Sequence, residues 1–102
     1  MDYSQLSDRD IDALVLQEIY GNQAKDKDIM RAWLRGGFKY TTNPADAWPI
    51  ITEAKISLLS VECGDGSELW LAKSNSCPSR GDANPLRAAM IVFLMMQDAN
   101  NA

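Results

Sequence analysis

The C-terminal segment NPLRAAMIVFLMMQ, residues 84–97, constrains the fold more than any other part of the sequence, and Arg87 is its only charged residue. Asn84 is a good helix N-cap and Pro85 suits the first helical position, so the sequence predicts a helix over residues 85–98. A helix that is apolar around most of its circumference must be covered on nearly every side. The run is shorter than the ~20 apolar residues of a membrane-spanning helix. We therefore predict a buried core helix.

The sequence leaves two alternatives for what packs on this helix. Other elements of the same chain can enclose it in a two-layer α+β domain, or Met95 and Met96 can form a homodimer seam, since methionine adapts well to apolar interfaces. Arg87 lies near the positive end of the helix dipole, where a cation is mildly disfavoured. We expect it to form an ion pair, and the candidate partners are Asp46, Glu53 and Asp82. The alternative is contact with an anion or a partner protein.

The first helix is marked at both ends. Ser7 is a natural N-cap, and Asp10 follows three residues later, as the acid of a capping box does. Apolar residues then recur with helical spacing, and Gly21 is placed to end the helix. The sequence predicts an amphipathic helix over residues 7–20.

A second helix is predicted over residues 44–54, with Asn43 as its cap and Pro44 at its first position. Pro49 lies beyond the first turn, where it cannot donate a backbone hydrogen bond, and it is expected to kink the helix. We expect this kink to direct Trp48 into the core.

Residues 56–62 and 68–74 are strand-like runs separated by a short glycine-containing segment, which predicts a β-hairpin. The segment 74–83 has the composition of a loop. Residues 29–40 allow two interpretations, a short helix that stops at Gly36 or a pair of strands that turn there. Their aromatic residues slightly favour strand, which would give a possible third strand from residues 29–41.

The predicted fold is therefore α+β, with a small antiparallel sheet packed against three helices. A length of 102 residues fits a single domain. The net charge of −4 argues against general affinity for nucleic acid or anionic membrane. The N-terminus lacks the basic-then-apolar order of a signal peptide, so we expect a cytoplasmic protein in which Cys63 and Cys77 are reduced.

Residue types that carry catalysis are sparse. The sequence has no histidine, the commonest general base and metal ligand. The glycines of residues 64–66 lack the lysine and following helix of a phosphate-binding loop. Asp8, Asp10 and Asp12 cluster in the first helical turns, where carboxylates complement the helix dipole. We predict no catalytic, cofactor or metal site.

Three blocks carry a resemblance to a known family. MDYSQLSD at residues 1–8, NPADAWPII at 43–51 and PLRAAMIVFLMMQ at 85–97 resemble, in this order, the NinX-like proteins of lambdoid phages and enterobacterial prophages. The resemblance implies a phage or prophage origin and expression in the cytoplasm of the bacterial host. It implies no activity and no catalytic residues, because the matching positions are explicable as helix caps, a kink and core packing.

We expect a phage accessory protein that works as a small protein-binding module rather than an enzyme. Its partner would be a second copy of itself or a host or phage protein. The candidate contact residues are Trp48, Arg87, Met95 and Met96. The alternative is an acidic inhibitor that imitates nucleic acid with the first helix and the acidic loop at residues 26–28, and so blocks a host nuclease or restriction enzyme.

Overall fold

The computed structural model describes residues 2–21, 26–62, 64–74 and 79–100. After a short 3-10 turn at Tyr3–Gln5, these residues form four α-helices and a three-stranded sheet. The elements in chain order are α1 (Asp8–Tyr20), α2 (Lys27–Leu34), α3 (Pro44–Ala54), β1 (Ser57–Glu62), β2 (Glu68–Lys73), β3 (Arg80–Asp82) and α4 (Pro85–Asn100). The α+β prediction is confirmed.

The predicted helix caps are present. The Ser7 side chain accepts a hydrogen bond from the Asp10 N–H at 3.1 Å, and Gly21 ends α1 with a φ of 54°. Asn43 accepts from the backbone of α3 at 3.0 Å, and Asn84 accepts from that of α4 at 2.9 Å. These caps satisfy backbone donors that have no partner within the helix. The predicted helices over 7–20, 44–54 and 85–98 are confirmed, with α4 continuing to Asn100.

The predicted hairpin is confirmed by the antiparallel pairing of β1 with β2. The third strand is β3, which pairs antiparallel with β2 and gives the sheet order β1-β2-β3. Its three residues, Arg80–Asp82, lie in the segment that the sequence predicted as a loop. A strand this short has no hydrophobic alternation to reveal it, so the loop prediction was wrong for residues 80–82. Residues 75–78 of the predicted loop lie outside the described residues.

The prediction of a third strand from residues 29–41 is also wrong, because residues 27–34 form α2. Asp26, in the charged segment before this region, caps the helix by accepting a hydrogen bond from the Asp28 N–H at 2.9 Å. Ile29 and Trp33 lie one helical turn apart and pack against the core as half-buried side chains. Helical spacing therefore decides this segment, against the preference of its aromatic residues for strands.

The C-terminal helix is the centre of the fold. It packs against α1, α3, β2 and β3, so other elements of the same chain enclose it. Among the described side chains of this helix, those of residues 85–99, six are buried, and they are Ala88, Ala89, Met90, Ile91, Val92 and Leu94. The prediction of a buried core helix is confirmed.

Trp48 does not enter the core. The α-helix continues through Pro49 to Ala54, and Trp48 is 60% exposed. The buried residues of α3 are Ala47, Ile50 and Ile51. Their spacing of three and four residues defines the face of α3 that meets the core, and Trp48 lies outside it. The expected redirection of Trp48 by the proline was wrong.

Candidate functional site

A groove of about 590 Å³ opens between the C-terminal halves of α1 and α4 and one side of α3. The turn that precedes α3 also contributes to the lining, through Phe38 and Tyr40. Apolar and aromatic side chains dominate its walls, and two carboxylates lie among them. The residues that line it are Ile19, Tyr20, Phe38, Tyr40, Ala45, Asp46, Pro49, Ile50, Glu53, Ala54, Phe93, Met96 and Gln97.

Three aromatic rings form one wall of this groove. The ring of Phe38 meets that of Tyr20 edge-on, with centroids 5.8 Å apart, and stacks on that of Tyr40 at 6.2 Å. Phe38 has a φ of 58°, a left-handed conformation that is unfavourable for a bulky residue. The aromatic contacts compensate for this backbone strain, so they fix the shape of the wall.

Three polar side chains of the groove, Tyr40, Asp46 and Glu53, differ in their burial and hydrogen bonding. Burial raises the pKa of the Tyr40 hydroxyl well above its usual range, so this group stays protonated. The Asp46 carboxylate accepts a hydrogen bond from the Lys39 N–H at 3.0 Å. Glu53 is exposed. The groove therefore combines an apolar wall with negative charge that reaches solvent.

A buried polar contact holds the turn before α3 against α1 and α4. The Asp12 carboxylate accepts hydrogen bonds from the N–H and the hydroxyl of Thr41, both at 2.9 Å. The Thr41 carbonyl accepts from the Asn84 side chain at 2.6 Å. Burial raises the pKa of Asp12, and the two bonds from Thr41 oppose this shift. The groove wall is thus tied to both flanking helices.

The Arg87 guanidinium forms an ion pair with Asp82 at 3.1 Å, as predicted, and a second with Asp8 at 2.7 Å. It also donates to the carbonyls of Ser4 and Leu6 at 3.1 and 2.6 Å. These contacts join the N-terminus and the end of β3 to the start of α4. The arginine acts here as a structural link.

The other three candidate contact residues lie on different surfaces. Met96 lines the groove. Trp48 is exposed and lies outside the lining, although its neighbour Pro49 belongs to it. Met95 faces a second cavity together with Tyr3 and Ile91. The aromatic wall was not predicted from the sequence, because the position of the Phe38 side chain depends on a left-handed backbone conformation.

Within the described ranges, the Asp and Glu side chains form no cluster of three or more that could hold a metal ion. Cys63 and Cys77, which the sequence predicted to be reduced, lie outside the described residues. None of the described helices combines the length and the apolar character that a membrane span needs.

Fold and groove together define a small α+β protein whose C-terminal helix lies between a three-stranded sheet and the helices α1 and α3. The chain belongs to the family described as bacteriophage P22 NinX, whose family model matches residues 2–97. This match confirms the resemblance seen in the sequence. No curated protein and no solved structure matches the chain.

Proposed function

We propose that the protein is a phage accessory factor that binds another protein through the groove between α1, α3 and α4. The observation that carries the proposal is the groove itself, an open cleft of about 590 Å³ with an aromatic wall. Binding sites of proteins are typically concave and apolar, with a few polar groups that orient the ligand. Family membership supports the phage origin. We expect the protein to act in the cytoplasm of the bacterial host, and we expect prophages to encode related proteins.

The lining of the groove favours a particular kind of partner. Helices form most of its walls, and an amphipathic helix can place its apolar side chains in such a cleft. Asp46 and Glu53 supply negative charge at the groove, and the whole chain carries a net charge of −4. A partner helix with apolar anchors and flanking Lys or Arg residues fits this combination of shape and charge.

The alternative function, an inhibitor that imitates nucleic acid, receives less support. Such a protein needs rows of accessible carboxylates. On α1, however, Asp8 pairs with Arg87 and Asp12 is buried against Thr41. Asp26 uses a carboxylate oxygen to cap α2. Strong salt dependence of binding to a host nuclease would nevertheless favour this alternative.

Affinity capture with two matched variants tests the proposal. Ile19 lines the groove and Met30 lies on α2, and each of these side chains is 42% exposed. Ile19→Lys places a charge in the groove, whereas Met30→Lys places the same charge elsewhere. Wild-type protein and both variants are immobilised and exposed to lysate of phage-infected bacteria. We expect a partner to be recovered by the wild type and by Met30→Lys, and to be lost with Ile19→Lys.

A titration with the purified partner then measures the affinity directly. We expect Ile19→Lys to weaken binding at least tenfold, on the order of 1.4 kcal/mol. Equal recovery by the two variants would contradict the groove as the binding site. Turnover of a small molecule by the purified protein, together with no recovered partner, would contradict the protein-binding function.

A further inference from the structure

One face of α3 runs along the groove and carries both of the charges in its lining. Asp46, Pro49, Ile50 and Glu53 line the groove from this helix, and their spacing of three and four residues places them on one face. Asp46 and Glu53 are the only charged residues of the described lining. They lie two helical turns apart, a rise of about 10 Å. The groove therefore presents a carboxylate, an apolar stretch and a second carboxylate in a row.

Both carboxylates can still accept hydrogen bonds from a ligand. One oxygen of Asp46 accepts from the Lys39 N–H, and no described group bonds to the other oxygen. The Glu53 side chain is exposed and forms no ion pair or hydrogen bond within the described residues. Two positive charges at the same separation on a partner would complement this face of α3.

The Tyr40 hydroxyl is a third polar group of the groove that has capacity for a ligand. Tyr40 is only 4% exposed, and its hydroxyl forms no hydrogen bond with any described group. The hydroxyl is not sealed inside the protein, because every fully buried polar side-chain atom of the described residues has a partner. It therefore opens into the groove that Tyr40 lines. Burial, and then the neighbouring Tyr20 and Asp46 side chains, raise the pKa of this hydroxyl, so Asp46 lies near it.

We propose that the groove binds a partner helix that carries two lysines seven residues apart, with aliphatic side chains midway between them. One lysine binds Asp46 and the Tyr40 hydroxyl, the other binds Glu53, and the aliphatic side chains pack on Pro49 and Ile50. An ammonium has three N–H donors, so one lysine can donate to a carboxylate and to a hydroxyl oxygen together. Lysines at this spacing lie on one face of a helix, two turns apart, as the carboxylates of α3 do.

The inference rests on the proposed function, because it specifies what the groove recognises in its partner. The partner helix lies along α3, since only this alignment brings both lysines to both carboxylates. The apolar side chains supply contact area, and the two charge pairs set the register of the partner helix.

Two synthetic peptides of equal composition test the lysine spacing without the natural partner. Both are alanine-rich helices with two adjacent leucines and with two lysines seven residues apart. In the first peptide the lysines share the face of the leucines, and in the second they lie on the opposite face. Fluorescence anisotropy of labelled peptide, titrated with the full chain, measures both affinities. We expect the first peptide to bind at least about tenfold more tightly.

Glu53→Lys and Glu68→Lys are matched variants of the protein. Both residues are exposed, and only Glu53 lines the groove. We expect Glu53→Lys to weaken the first peptide at least about tenfold, and Glu68→Lys to leave its affinity unchanged. A version of the first peptide with one lysine replaced by glutamate should bind Glu53→Lys more tightly than it binds the wild type.

Tyr40→Phe tests the hydroxyl, because it removes this group and keeps the ring. We expect it to weaken the first peptide about tenfold, since a hydrogen bond to a charged group is lost. The affinity for the opposite-face peptide should not change. A Tyr40→Phe protein that binds the first peptide as the wild type does would remove Tyr40 from the lysine site.

Equal affinity for the two peptides would overturn the lysine pattern, as would tight binding of the first peptide that Glu53→Lys leaves unchanged. If Ile19→Lys weakens both peptides to the same extent in that case, the groove stands as a binding site and only this inference fails. Binding of neither peptide at millimolar concentration would also overturn the pattern. Capture from lysate tests the proposed function separately, so the two failures are distinguishable.

Discussion

The Arg87 guanidinium lies 2.7 Å from the carboxylate of Asp8, a residue 79 positions earlier in the chain. The same guanidinium contacts Asp82 and two carbonyls near the N-terminus. Lysine cannot make all of these contacts at once, because its ammonium is a compact point charge and lacks the spread N–H donors of the guanidinium. We expect Arg87→Lys to lower the free energy of unfolding by about 1–3 kcal/mol. Urea denaturation measures this change.

Asp8→Asn is the companion variant for Arg87. The Asp8 side chain is half-exposed, so we expect a loss of less than about 1 kcal/mol, as is usual for solvent-exposed ion pairs. Arg87→Lys should also leave partner recovery unchanged, because the arginine is engaged within the chain. An Arg87→Lys protein as stable as the wild type would contradict the linking role of Arg87.

The buried Asp12 predicts a pH dependence of stability. Burial raises its pKa in the folded state above the ordinary value of 3.8. The stability that it contributes is therefore fully present below pH 3.8 and is lost as the pH rises through the raised pKa. Asn at this position still accepts hydrogen bonds from Thr41 but does not titrate. We expect the stability of Asp12→Asn, relative to the wild type, to increase with pH across this window.

Urea denaturation of both proteins between about pH 3 and pH 7 measures this difference. A relative stability that stays flat or falls with increasing pH would show that the hydrogen bonds from Thr41, rather than burial, control Asp12.

The Tyr3 hydroxyl donates a hydrogen bond to the Asp98 carboxylate, and so joins the two ends of the described chain. Burial, together with this carboxylate, raises the pKa of Tyr3 to about 12. We expect Tyr3→Phe to cost about 1 kcal/mol at neutral pH. The stability from Tyr3 is present below its ordinary pKa of 10.0 and is lost as the pH rises through about 12. The penalty should therefore shrink above pH 10.0.

Denaturation at neutral and alkaline pH, together with titration of tyrosinate absorbance, checks this prediction. The difference between the wild type and Tyr3→Phe should reveal one tyrosine that ionises near pH 12. A difference spectrum that titrates near pH 10.0 would contradict the buried hydrogen bond.

Arg9 holds α2 to α1. Its guanidinium carbon lies 3.3 Å from the centre of the Trp33 ring, and it donates to the Trp33 carbonyl at 2.6 Å. None of the residues of α2, all of which the structure describes, is buried, so few other contacts hold this helix. We expect Arg9→Gln to speed amide hydrogen exchange across Lys27–Leu34 by local opening, with little change in global stability. Unchanged exchange in α2 would contradict this role.

The parts of the fold that could be predicted from the sequence are those encoded by neighbouring residues. Ser7, Asn43 and Asn84 act on the next turn of chain, so local chemistry locates three helices. The hairpin follows from two apolar runs and a short turn. The apolar character of α4 predicts its burial, because a helix that is apolar around most of its circumference must be covered on nearly every side.

The remaining features depend on contacts distant in sequence or on an unusual backbone. Asp8 was missed as a partner of Arg87 because only the tertiary fold brings the two together. Strand β3 is defined by backbone pairing with β2 rather than by its own side chains. The position of Phe38 requires a left-handed backbone conformation, which the residue type phenylalanine does not predict. The groove therefore emerges only from the assembled helices.

The helix α4 is the enclosed centre of a single chain, and association with a partner is assigned to the groove. Residue-resolved amide hydrogen exchange on dilute, monomeric protein tests this directly. We predict that the amides of residues 90–94 exchange most slowly and open only with global unfolding. Exchange of these amides as fast as that of the hairpin β1–β2 would contradict it, because α4 would then need a second copy to cover it.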